Sequence, residues 1–128
     1  MEAVVRTTFR VTAVLTRIAA AHDLSLTQLR VLGILRDRPS RMTELAAFLG
    51  LDKSTMSGLV ERAEKRGLLT RGRSPDDRRA VDVALTHQGR ELVDAVQREV
   101  YDALTPFVGK LDAAQRRQLA RLLNTLSA

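Results

Sequence analysis

Apolar residues recur every three or four positions along most of this chain, the period of helices that each bury one face. Val4, Val5, Phe9, Thr12, Leu15, Ile18 and Ala19 predict a first amphipathic helix that ends before His22 and Asp23. A second starts near Ser25 or Thr27, where Ser25-Leu26-Thr27-Gln28 has the form of a capping box, and its stripe of Leu29, Val31, Leu32 and Leu35 runs to Arg36 before Pro39 stops it. Thr43 is expected to cap a short third helix, Glu44 to Leu49, which Gly50 breaks; Asp52 or Ser54 then caps a fourth. Two near-strands follow, Leu68 to Arg73 and Ala80 to Thr86, joined by a loop of Ser74, Pro75, Asp76, Asp77, Arg78 and Arg79 that is too charged to be buried. A long helix from about His87 to Lys110 comes next, with Pro106 as its expected kink, and Asp112 caps a last helix whose Leu119, Leu122, Leu123 and Leu126 form one row.

The third and fourth helices, joined by a tight turn and followed by a basic hairpin, have the order of a winged helix-turn-helix. In the fourth helix Met56, Leu59, Val60 and Ala63 make a docking stripe, while Lys53, Ser54, Thr55 and Ser57 offer donors and acceptors that reach base edges. The predicted fold class is therefore mainly α with a small β-hairpin wing. The stripes of the first and last two helices lie outside this unit, so they are expected to meet a second copy of the chain.

At 128 residues, the length fits one domain. Aromatics make up 3% of the residues, so aliphatic packing dominates. Charge then singles out one region. The chain carries a net +6, and Lys53 to Arg79 holds eight basic residues against four acids, which places +4 of it there. Such a segment favours a polyanion as partner. Cysteine is absent, which excludes disulfides, thiolate metal sites and a peroxide-sensing thiol, and suits a reducing cytoplasm. No apolar run approaches the roughly 18 residues of a membrane span, and Glu2, Arg6 and Arg10 are unlike the start of a signal peptide. No cofactor motif is present. His22 and His87 stand alone, a weak basis for a zinc site, and no phosphate loop or nucleophile constellation suggests an enzyme.

Several segments, in order, resemble the MarR family of bacterial transcription regulators. Leu24 to Leu32 is similar to the family's second helix and Met42 to Ala46 to the opening of its third; Lys53 to Arg62 is similar to its recognition helix, and Glu64 to Leu68 to the exit from that helix. Asp77-Arg78-Arg79, followed by Val81, Val83, Leu85, Thr86 and Gly89, resembles the family's wing motif. The resemblance spans about Phe9 to Leu126. It implies one domain over 1–128, with a winged lobe at about 25–89 and a helical dimerisation module formed by the N- and C-terminal helices, about 1–22 and 90–128. The first helix begins almost at Met1, a shorter start than many relatives have, which is expected to alter dimer contacts.

By the same resemblance, Lys53, Ser54, Thr55 and Ser57 would face the major groove of double-stranded DNA, with Arg62 near a phosphate or a guanine. Thr43 would aim its helix N-terminus at a phosphate. Arg79 would enter the minor groove, held by Asp77, and Arg71 and Arg73 would touch the backbone. Plainer readings stand beside these: Ser54 as a cap, and Asp77 and Arg79 as pins for the hairpin. Many relatives bind small aromatic acids, and Arg6, Arg10 and Arg17, on one face of the first helix, are the candidates for holding a carboxylate here; a solvated face is the alternative. The function expected is a homodimeric repressor of palindromic operators, released by a small aromatic or acidic effector. The competing expectation is a winged helix used for protein interaction or non-specific nucleoid binding.

Overall fold

The computed structural model describes all 128 residues. Six helices and three short strands follow one another: α1 (Glu2–Ala21), α2 (Leu26–Asp37), β1 (Ser40–Arg41), α3 (Met42–Leu49), α4 (Lys53–Lys65), β2 (Leu69–Arg73), β3 (Val81–Leu85), α5 (His87–Val108) and α6 (Ala113–Ser127). Local chemistry fixes most of the helix ends. Ser25 and Gln28 close the capping box of α2, and Asp112 and Gln115 close that of α6. Asp52 accepts from the Thr55 N–H at the start of α4, and Thr86 accepts from the Gly89 N–H at the start of α5. Gly50, in the left-handed region at φ 67°, reverses the chain after α3 and allows the three-residue turn into α4.

The sheet is antiparallel with order β1-β3-β2, so β3 is its centre and Val83 pairs with Ser40 on one side and Arg71 on the other. Strand β1 was not expected from the sequence, and it changes the start of α3. That helix begins at Met42 with Arg41 at its N-cap position and no side-chain cap. Thr43 is therefore the second residue of the helix and does not cap it. In α5 the helix continues through Pro106 to Val108, two residues short of the expected Lys110, with the Thr105 hydroxyl donating to the Tyr101 carbonyl at 2.7 Å just before the proline.

A single apolar core forms where α2, α3, α4 and the sheet meet, around Leu32, Leu35, Leu45, Met56, Val60, Leu69 and Val83. The end of α1 and the first half of α5 join it through Ala19 and Val93. The remaining helix faces are unpartnered. No residue of α6 is buried, and Val4, Phe9, Leu122 and Leu126 are more than half exposed. A 15-residue helix with no buried residue is marginal in water, so the leucine row of α6 lacks the partner that would stabilise it.

Candidate nucleic-acid interface

Helix α4 divides cleanly into a packed and an exposed side. Met56, Leu59, Val60 and Ala63 are buried in the core, while Lys53, Ser54, Thr55 and Arg62 are exposed and Ser57 is partly covered. Ser54 is turned toward the cap, its hydroxyl donating to Asp52 at 3.1 Å. The Asp52 carboxyl also accepts from the Thr55 N–H at 2.7 Å, and these bonds hold it below the usual carboxylate range. Asp52, not Ser54, is therefore the cap; Ser54 and Thr55 both bond it, and Lys53 and Ser57 are the polar groups of this turn free of it.

The acids of α4 are already occupied. Glu61 lies 3.6 Å from Lys65, and Glu64 takes both Nε and Nη2 of Arg71 at 3.2 and 2.9 Å. The Arg71 bond holds the Glu64 carboxyl low and raises Arg71 in return. Arg71 is thus tied to α4, where a free phosphate-binding residue was expected. Lys53, Arg62, Arg73, Arg78 and Arg79 have no acidic partner within ion-pair distance. The Arg62 guanidinium lies back over Gly58, with Nη1 3.4 Å from the place a Cβ there would take.

At the wing tip the Asp77 side chain accepts from the backbone N–H of Arg79 at 2.9 Å, and the Asp77 carbonyl accepts from Ala80 at 3.0 Å. Asp77 therefore holds the turn and the backbone of Arg79, leaving the guanidinium free. Thr43, Lys53 and Arg79 come together around a cavity of about 270 Å³ between α3 and the wing, floored by Met42, Ala46, Ala80 and Val81. Two cations, Lys53 of α4 and Arg79 of the wing, thus meet Thr43 of α3 on one rim. Sequence spacing could place each element but not this convergence.

The expected carboxylate clamp on α1 does not assemble. Arg6 pairs with Glu2 at 2.7 Å, Arg17 is exposed, and only Arg10 enters a cavity, of about 240 Å³, beside Phe107 and Lys110; its guanidinium sits 5.1 Å from the Phe107 ring centre. A second cavity of about 260 Å³ lies between α1, α2 and α5, walled by Leu15, Leu29, Val93, Val96 and Val100 with Gly33, Gln97 and Arg36 at its edge. Arg36 donates to Asp94 at 2.6 Å, a bond that holds the Asp94 carboxyl low. Its walls come from segments that no local pattern links, and the sequence carried no signal for it.

A profile of the MarR family matches residues 22–80. The HTH-type transcriptional repressor NicR of Pseudomonas putida is 34% identical over 118 residues, covering 91% of this chain and 75% of that protein. The chain belongs to the MarR family. It is a transcription regulator of winged-helix architecture. The homoprotocatechuate degradative operon repressor of Escherichia coli is 28% identical over 112 residues, covering 87% of the MarR-family chain described here and 76% of its relative. Among solved structures, Bordetella bronchiseptica BpsR, studied for regulation of its DNA binding by 6-hydroxynicotinic acid, superimposes with a TM-score of 0.79 at 29% identity, covering 98% of this chain and 91% of that one.

Proposed function

We propose that this regulator is a homodimeric repressor that binds two-fold symmetric operators, with α4 in the major groove and the wing reaching the adjacent minor groove. The observation that carries the reading is the cationic surface of α4 and the wing: Lys53, Arg62, Arg73, Arg78 and Arg79 lack acidic partners while the acids of α4 are paired elsewhere. On that surface Lys53, Thr55 and Ser57 are the base-reading groups, Arg79 is the minor-groove probe, and Thr43 and Arg73 face phosphates. The second copy is supported by the exposed leucines of α6 and by Val4, Val5 and Phe9 of α1, an apolar surface that water would otherwise cover.

The effector proposed is a small aromatic acid, the class of 6-hydroxynicotinic acid that regulates BpsR. The cavity between α1, α2 and α5 has apolar walls for a ring, with Gln97 at its edge and Arg36 beside Asp37; a carboxylate there would have to share Arg36 with Asp94, its partner at 2.6 Å. Its walls join the lobe to the long helices, so a bound ligand acts by favouring one spacing of the two recognition helices.

Selection of bound fragments from random DNA, together with sedimentation of the purified protein, tests this. The expected result is a dimer at micromolar concentration and an inverted repeat whose half-sites lie about one helical turn apart, about 34–36 Å. A stable monomer, or steep salt dependence with no preferred sequence, refutes it and favours the non-specific nucleoid reading.

A further inference from the structure

Arg66, the residue that ends α4, sends its guanidinium away from the proposed DNA surface. Nη1 donates to the Asp23 carbonyl at 2.8 Å and Nη2 to the His22 carbonyl at 3.0 Å, 43 and 44 residues back along the chain. These carbonyls lie just past the end of α1. Asp23 is the one non-glycine residue with positive φ, at 56°, and its N–H and that of His22 donate back to Ala20 and Ala19. A cation fits such a terminus, where unpaired carbonyls gather negative charge. The same turn is tied to α5, because His22 Nε2 lies 2.9 Å from Glu99 Oε1.

The next two residues hold the other long helix. The Gly67 carbonyl accepts the Thr86 hydroxyl at 2.6 Å, and the Leu68 carbonyl accepts the Thr86 N–H at 3.0 Å. Three consecutive residues at the exit of the recognition helix therefore carry both of its joints to the long helices. The joint to α5 includes two backbone carbonyls, both bonded to Thr86. The polar joint to α1 is a single exposed side chain, beside the core packing of Ala19.

We infer that Arg66 is a positioning residue for operator recognition: by fastening the exit of α4 to the end of α1, it sets the separation at which two copies of α4 meet DNA. This rests on the dimeric operator reading above. A planar guanidinium suits two adjacent carbonyls, whereas a lysine ammonium lacks that fork. Because Arg66 is exposed and outside the core, removing it should loosen the joint without unfolding the protein.

The test uses the full-length protein and a panel of operators with identical half-sites, their separation changed by one or two base pairs in each direction. The wild type should prefer one separation by about tenfold or more, since each added base pair also rotates one half-site about the DNA axis. Arg66→Ala should keep the half-site sequence preference and a melting temperature within a few degrees of wild type, but flatten the spacing preference to about threefold; Arg66→Lys should fall between them. If Arg66→Ala and Arg66→Lys both keep the wild-type spacing profile, the inference is overturned, including where affinity falls equally across the panel and the salt dependence shows a lost phosphate contact. A wild type indifferent to spacing would instead overturn the two-fold operator reading, and the role of Arg66 with it.

Discussion

Replacing Gly89 with alanine places a methyl group where no space exists. An ideal Cβ at this position in the first turn of α5 would lie 2.1 Å from the Leu68 carbonyl oxygen, 3.0 Å from its carbonyl carbon and 3.2 Å from its Cα. All three are backbone atoms, so no side chain can swing aside. The start of α5 must move away from the α4 exit, straining the Thr86–Gly67 bond and the Thr86 cap. Overpacking of this kind costs about 1–3 kcal/mol, and a weakened cap and a weakened part-buried hydrogen bond about 1 kcal/mol each when lost outright. A loss of about 3 kcal/mol is the central expectation. With an unfolding entropy of about 2.1 cal/mol/K per residue, that corresponds to a fall of about 11 °C in Tm for a chain of this length. Thermal unfolding followed by far-UV circular dichroism, at fixed protein concentration, measures it directly. Gly72→Ala is the control, since no atom lies within 4 Å of a Cβ built there. A Gly89→Ala protein melting within about 3 °C of wild type would refute the packing argument.

Arg79→Ala should weaken operator binding by about 1–3 kcal/mol per lobe, most on A·T-rich flanks, and titrations on flank-swapped operators will show whether that dependence exists. Gly33→Ala, in α2 where a Cβ meets nothing, should raise stability by about 0.5–1 kcal/mol by denaturant unfolding. Gly33→Leu, at the edge of the cavity between α1, α2 and α5, should remove release by an aromatic acid while DNA binding persists, as gel-shift titrations would record. Acidification should destabilise the fold. The carboxyls of Asp94, Glu64 and Asp52 are held low by Arg36, Arg71 and the Thr55 N–H, so their contribution is present above the ordinary carboxylate range and is lost as pH falls through their lowered values. Melting temperatures across that range should drop less for Asp94→Asn than for wild type.

Helices with strong periodicity and local caps were legible in the sequence because their determinants lie within a few residues of each other; Ser25 with Gln28 and Asp112 with Gln115 are cases in point. The two-residue strand β1 was not, since Ser40 and Arg41 become a strand only by pairing with β3 some 40 residues later. Missing it led to the misreading of Thr43 as a cap. The arginines show the same limit at the site. Helical spacing placed Arg6, Arg10 and Arg17 on one face, but Glu2 and Phe107 decide where two of them point. Arg71 looked free until the fold brought it to Glu64, and Arg66 gave no signal because its partners are two backbone carbonyls of a distant turn.

Helix α5 also has a mechanical consequence. Its 22 residues give it a length of about 33 Å, and it starts at the Thr86–Gly67 joint, so it is a lever pivoted beside the exit of α4. A tilt of about 6° at the pivot moves the far end by about 3.4 Å, close to the rise of one base pair. In the proposed dimer, a tilt of that size between lever and lobe, absorbed by side-chain repacking around Val93 and Val96, shifts the reach of the molecule along the duplex by about one step of its ladder.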